Sequence, residues 1–169
     1  MPGSVQETMI MCFLDRARFS ARFPTVLQDA KAAAILEQFP DLLHTRATRD
    51  QEMPGLTILL RSRYFDDAVR DFLTTHPRAT IICLASGLET NYFRVDNGQL
   101  QWWDVDLPDA IDFRRRIIPE SERNRYVAAD VLDLSWCGEI KHDPSDGVMI
   151  VASGIMCYFT RREIGALVR

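Results

Sequence analysis

The sequence predicts an α/β protein, a doubly wound parallel sheet entered through an N-terminal group of helices. Three observations carry that prediction. The run Ile81-Ile82-Cys83-Leu84 is continuously apolar and ends in the small-residue turn Ala85-Ser86-Gly87, as suits a strand covered on both faces. A second apolar run, about twenty residues on, ends in Asp104 and Asp106, where a βαβ unit presents an acidic residue to a nucleoside ribose. Downstream of Pro77, short strand-like runs alternate with helical ones, the pattern of a parallel sheet with crossover helices.

The elements follow in order. Met9 to Leu14 opens a helical first third, which continues through Val26 to Phe39 with Val26, Ala30, Ala33, Ala34 and Leu36 at helical spacing, punctuated by Pro24 and Pro40. Thr45 to Pro54 is polar and patternless and is predicted as a loop. Leu56 to Leu73 is an amphipathic helix with an apolar face of Leu56, Leu59, Leu60, Phe65, Val69, Phe72 and Leu73. Strands are predicted at Thr80 to Leu84, Leu100 to Asp106, Tyr126 to Ala129 and Val148 to Ala152, with helices between them. Pro108 opens a helix running to Ile118, and Thr160 with Glu163 forms a capping box for a last helix to Val168. Residues 1–76 are expected to form a helical cap with a cofactor-contacting helix and 77–169 an incomplete cofactor-binding core, together one domain.

Composition narrows the function classes. The 169 residues are 47% hydrophobic and 26% charged, the balance of a globular chain whose folding buries roughly 70% of its unfolded surface. A net charge of −4 gives no basic surface for nucleic acid. Arg114-Arg115-Arg116 reads as a solvated helix face. Cys12, Cys83, Cys137 and Cys157 lack metal-ligand or redox spacing and read as reduced thiols. His44, His76 and His142 are scattered, so no metal is expected. Neither a membrane span nor a secretory signal is legible, and cytoplasmic residence is the expectation.

The turn at Ala85, Ser86 and Gly87 suits close backbone approach to a cofactor. Of Asp104 and Asp106, only one is expected to serve a ribose, the two carboxylates turning to opposite faces. At least one of Trp102 and Trp103 is expected in the core.

Four ordered segments carry a resemblance. They are Arg61–Val69, Leu84–Val95 with Trp102–Ile111, Ala129–Trp136 and Val151–Phe159. Together they resemble the leucine carboxyl methyltransferase family, in its tetracenomycin-type polyketide-synthesis O-methyltransferase branch. The resemblance implies a Rossmann-like methyltransferase sheet, S-adenosylmethionine as cofactor and a small-molecule acceptor. It also implies roles for individual residues. Arg61 would pair with the methionine carboxylate, Ala85 and Gly87 would line the methionyl moiety, and Asp106 would hold the ribose. Asp130 and Val131 would flank the adenine, and Ser153 stands where the family carries Glu near the adenosine or substrate. Arg16 would sit near the substrate or methionine end.

Two departures from the family pattern stand out besides Ser153. Ala85 occupies the first position of a turn that is usually Gly-Ala-Gly, which costs backbone freedom or cofactor clearance. The sheet is expected to lack the family's C-terminal strands, leaving the fourth strand as an apolar edge, so that either the chain is a fragment of a longer protein or another copy or a partner chain completes the sheet. These departures motivate an alternative, a non-catalytic relative acting as a cofactor-binding or interaction module.

Overall fold

The computed structural model describes residues 4–44 and 52–168. Its helices are α1 (Ser4–Arg22), α2 (Ala30–Gln38), α3 (Glu52–Thr75), α4 (Asn91–Val95), α5 (Pro108–Ile117) and α6 (Arg161–Leu167). Its strands are β1 (Thr80–Leu84), β2 (Gln101–Asp106), β3 (Asn124–Ala128) and β4 (Val148–Val151). The chain divides into two compact units. One holds the chain up to Ala68 together with Gly87–Val95, and the other holds Val69–Ser86 with the chain from Asp96 onward.

In the first unit, α2 begins at Ala30 rather than near Val26, because the Asp29 side chain accepts the Ala32 amide and caps the helix there. Phe19, Leu27 and Leu59 form a small core with Phe23, Val26 and Leu56 around it. Gly55 allows that packing, since a Cβ there would stand 2.2 Å from the Phe19 ring. The predicted loop from Thr45 lies outside the described residues as far as Gln51, and Glu52 to Pro54 belong to α3.

The buried stripe of α3 differs from the expected one. Gly55, Leu59, Ser62, Asp66, Val69 and Leu73 are buried at a regular helical spacing, while Leu60 is 58% exposed. Two polar residues that hydropathy alone leaves off the apolar face, Ser62 and Asp66, enter the buried stripe, and Asp66 can do so because Arg94 neutralises it at 2.6 Å.

The second unit is the sheet. All pairings are parallel and the order is β3-β2-β1-β4. β1 is buried along its whole length, as a central strand between two covered faces must be. On one face Ile82, Leu84, Val105, Val127, Val131, Trp136, Ile140 and Ile155 form the core. Burying each large aliphatic side chain there contributes roughly 1.5–3 kcal/mol before the ordering cost. Trp102 is buried and Trp103 half-buried. β4 ends the sheet, with Val148 and Ile150 exposed.

Three expectations are corrected here. The β3–β4 connection holds short 3-10 turns (Leu134–Gly138, Pro144–Asp146) and no α-helix, because Asp133 and Asp143 each bond the amide two residues on, and Pro144 has no amide to donate. Arg114 is 1% exposed, not solvated, while Arg115 and Arg116 face solvent. Asp104 and Asp106, two residues apart on one strand, leave it on the same side; depth, not face, separates them. The Thr160–Glu163 capping box forms as the spacing predicts.

Candidate functional site

The strand order reverses direction at β1. From β1 the chain adds β2 and β3 on one side, then returns to place β4 on the other. In open parallel sheets the crevice outside the carboxyl ends at such a switch point is where ligands bind. Ala85 follows β1, Asp106 ends β2, Asp130 follows β3 and Ser153 follows β4. All four therefore belong to the carboxyl edge of the second unit.

Ala85 holds φ +50° and Gly87 holds φ +49°. The left-handed region suits glycine, while an alanine there costs roughly 1–2 kcal/mol. The methyl that distinguishes this turn from a Gly-first turn thus carries backbone strain. A Cβ on Gly87 would meet Met9 Cγ at 2.7 Å. Between these two residues the Ser86 hydroxyl is buried with no hydrogen-bond partner, a donor held ready at the turn.

Asp106 accepts the Leu107 amide at 2.8 Å. Asp104, deeper, receives Trp102 Nε1 at 3.1 Å, Arg114 Nη2 at 2.8 Å and Asn124 Nδ2 at 2.9 Å. That saturation leaves Asp104 to the core and Asp106 to the edge. Asp130 is exposed, its carboxylate accepting the Leu132 amide at 2.9 Å. Val131 is buried in the core, and Ser153 is half-buried.

In the first unit, Arg61 is half-buried on α3 and its Nε is buried without a hydrogen-bond partner. Arg16 is not a surface arginine. It is 2% exposed and donates from Nε to Asp29 at 2.9 Å, from Nη1 to Glu89 at 2.9 Å and from Nη2 to the Leu88 carbonyl at 2.8 Å. Burial pushes the carboxyls of Asp29 and Glu89 up, but Arg16 and Arg94 outweigh it and hold both below their ordinary values. Sequence reading missed Asp29, Asp66, Glu89, Thr90 and Arg94 as a group. Their one local signal was the run Glu89, Thr90 and Arg94 directly after the turn.

A cavity of about 540 Å³ opens elsewhere on the second unit, lined by Arg78, Thr80, Gln101, Trp103, Arg125 and Lys141 among others. Thr80 and Gln101 are the first residues of their strands, so it lies toward the amino ends, away from the switch point. The Arg78 guanidinium at its rim is held by Asp146 at 2.7 Å.

The features at the carboxyl edge fit a nucleoside cofactor: a left-handed small-residue turn after β1, a buried hydroxyl without a partner and acids at strand ends. No group of His, Cys, Asp and Glu able to hold a metal ion occurs among the described residues. Nor is any described helix long and apolar enough to cross a membrane.

Residues 6–169 match the family described as leucine carboxyl methyltransferase. The chain is 31% identical over 162 residues to the tetracenomycin polyketide synthesis O-methyltransferase TcmP of Streptomyces glaucescens, an alignment covering 94% of this chain and 58% of that protein. It is 29% identical to the S-adenosyl-L-methionine-dependent methyltransferase dpfgK of Gibberella zeae, covering 97% and 59%. A putative S-adenosyl-L-methionine-dependent methyltransferase of Mycobacterium marinum is 28% identical, over 94% of this chain and 58% of that protein. The chain thus spans under two thirds of the length of these relatives.

Proposed function

We propose, because this chain belongs to the leucine carboxyl methyltransferase family, that it binds S-adenosylmethionine and is the cofactor-binding part of an O-methyltransferase acting on a carboxylate or hydroxyl of a small molecule. The observation that carries the reading is the carboxyl edge of the sheet, where the left-handed turn after β1 and the strand-end acid Asp106 flank the topological switch.

When bound, S-adenosylmethionine supplies an electrophilic sulfonium methyl. The chain's own residues have the tasks of binding and orienting it. Arg61, whose Nε has no protein partner, suits a bidentate contact with the methionine carboxylate. Asp106 suits the ribose diol, and Asp130 and Val131 the polar and apolar sides of the adenine. Ala85 and Gly87 are assigned to the methionyl moiety, and Ser153 to the adenosine or substrate side, where it offers a neutral hydroxyl in place of the family's carboxylate. A carboxylate acceptor is already ionised at neutral pH and needs no base. The relatives are named methyltransferases, which favours this reading over a non-catalytic module. We assign residence to the cytoplasm, in keeping with four free thiols. The exposed edge of β4 is the surface we assign to a further strand from another copy or a partner chain.

Calorimetric titration with S-adenosylmethionine and its demethylated product tests the proposal. Binding is expected, and Arg61→Ala should weaken it about tenfold or more while leaving the melting temperature unchanged, because charge-assisted contacts to the ligand are lost and no described ion pair is broken. Absence of heat and of any thermal shift at millimolar ligand overturns it.

A further inference from the structure

We propose that Arg94, with Arg16 beside it, is a positioning residue for the cofactor: it fastens the turn that carries Gly87. This inference rests on the reading that the turn receives S-adenosylmethionine.

The Arg94 side chain, in the first unit, is 5% exposed and uses all of its nitrogens. Nε and Nη2 grip the Asp66 carboxylate at 2.6 and 3.0 Å. Nη1 donates to Asp29 and to the Thr90 hydroxyl, both at 2.7 Å, and Nη2 also reaches Glu89 at 3.0 Å. Arg16 completes the clamp from α1, holding Asp29, Glu89 and the Leu88 carbonyl.

The consequence falls on consecutive residues. Leu88 is held through its carbonyl, Glu89 through both carboxylate oxygens, and Thr90 through its amide to Glu89 and its hydroxyl to Asp29. These residues follow directly on Gly87, and Ala85 and Gly87 both stand in the left-handed region. A strained backbone persists only where its surroundings over-determine it. The partners that do so here come from α1, the α2 cap and α3, so the geometry of the turn depends on residues remote in sequence. A planar fork is needed, because only guanidinium can grip Asp66 with two nitrogens while reaching Asp29 and Glu89. Lysine keeps the charge and loses the geometry.

The buried Arg114–Asp104 pair, which ties α5 to β2 and shares its carboxylate with Asn124 of β3, is the internal control. Arg94→Lys and Arg114→Lys are to be compared at a temperature where circular dichroism shows both folded. Affinity for S-adenosylmethionine and its demethylated product is read by calorimetry, and amide hydrogen exchange is read over residues 86–90 without ligand. Arg94→Lys is expected to weaken binding about tenfold or more, as small misplacements of a site do, and to speed exchange in the turn while β1 stays protected. Arg114→Lys is expected to lower the melting temperature with affinity unchanged within about twofold. Where Arg94→Lys does not fold, Glu89→Gln, which keeps the shape and removes the charge, decides by the same readouts. If the wild type binds the ligand and the Arg94→Lys protein, or Glu89→Gln in its place, keeps its affinity, the positioning role is overturned alone. If both arginine variants weaken binding equally, the role is overturned as well. A wild type that binds neither ligand overturns the cofactor reading, and the positioning role with it.

Discussion

Each unit buries a guanidinium cluster, and the two are built differently. In the sheet, one guanidinium, Arg114, meets one carboxylate, Asp104, both 1% exposed, tying α5 to β2, with Asn124 of β3 sharing the carboxylate and the Tyr126 ring 4.8 Å from the guanidinium. In the first unit, two guanidiniums, Arg16 and Arg94, meet three carboxylates, Asp29, Glu89 and Asp66. The first cluster joins regular elements to one another; the second joins regular elements to a turn. A buried charge must be compensated wherever it lies, but only a cluster that grips irregular backbone sets the conformation of a loop.

Breaking the simpler cluster is expected to have the largest effect. Arg114→Met leaves Asp104 buried without its cation and should cost about 3–5 kcal/mol, read as a lowered denaturation midpoint. Adding Asp104→Leu should recover part of that loss, since an apolar pair can replace a buried ion pair. Failure to recover would mean that the pair also fixes the β2–β3 register through Asn124.

Acid should loosen the first-unit cluster next. Asp29 and Glu89 are held below their ordinary values of 3.8 and 4.5. Groups with lowered folded values contribute stability that is fully present above the ordinary values and lost as pH falls through the folded ones. This contribution to stability should therefore be flat above about pH 5 and fall below about pH 4, and the protection of amides 88–90, taken relative to the intrinsic exchange rate at each pH, should drop in that window. Protection there that ignores pH would show that the clamp does not secure the turn.

The smallest effect tests the strain at the turn itself. Ala85→Gly removes the left-handed penalty but loosens the unfolded chain, for a net gain of about 0.5 kcal/mol by thermal unfolding. It should also tighten cofactor binding by admitting closer backbone approach. A destabilised Ala85→Gly would mean that the alanine methyl contributes more in packing than its backbone costs.

What the sequence determined alone was the local part of the fold. The four strands were legible to within two residues, because β1 and β4 are unbroken runs of β-branched and other apolar residues and β2 and β3 are short aromatic- and valine-bearing runs between turn signals. Pro108 and the Thr160–Glu163 box marked helix starts, since a cap acts over a single turn. The turn after β1 and the acid at Asp106 were legible for the same reason: each is a short run of particular residue types.

Only the tertiary structure decided which charges are buried. Arg114, Arg115 and Arg116 are indistinguishable as letters, and one enters the core because helix phase aims it at Asp104. Arg16 finds Glu89 across 73 positions of chain, and Asp66 takes a place on the buried stripe of α3 because Arg94 meets it there. Burial of a charge is settled by a partner brought from elsewhere by folding, and periodicity in one segment carries no information about that partner.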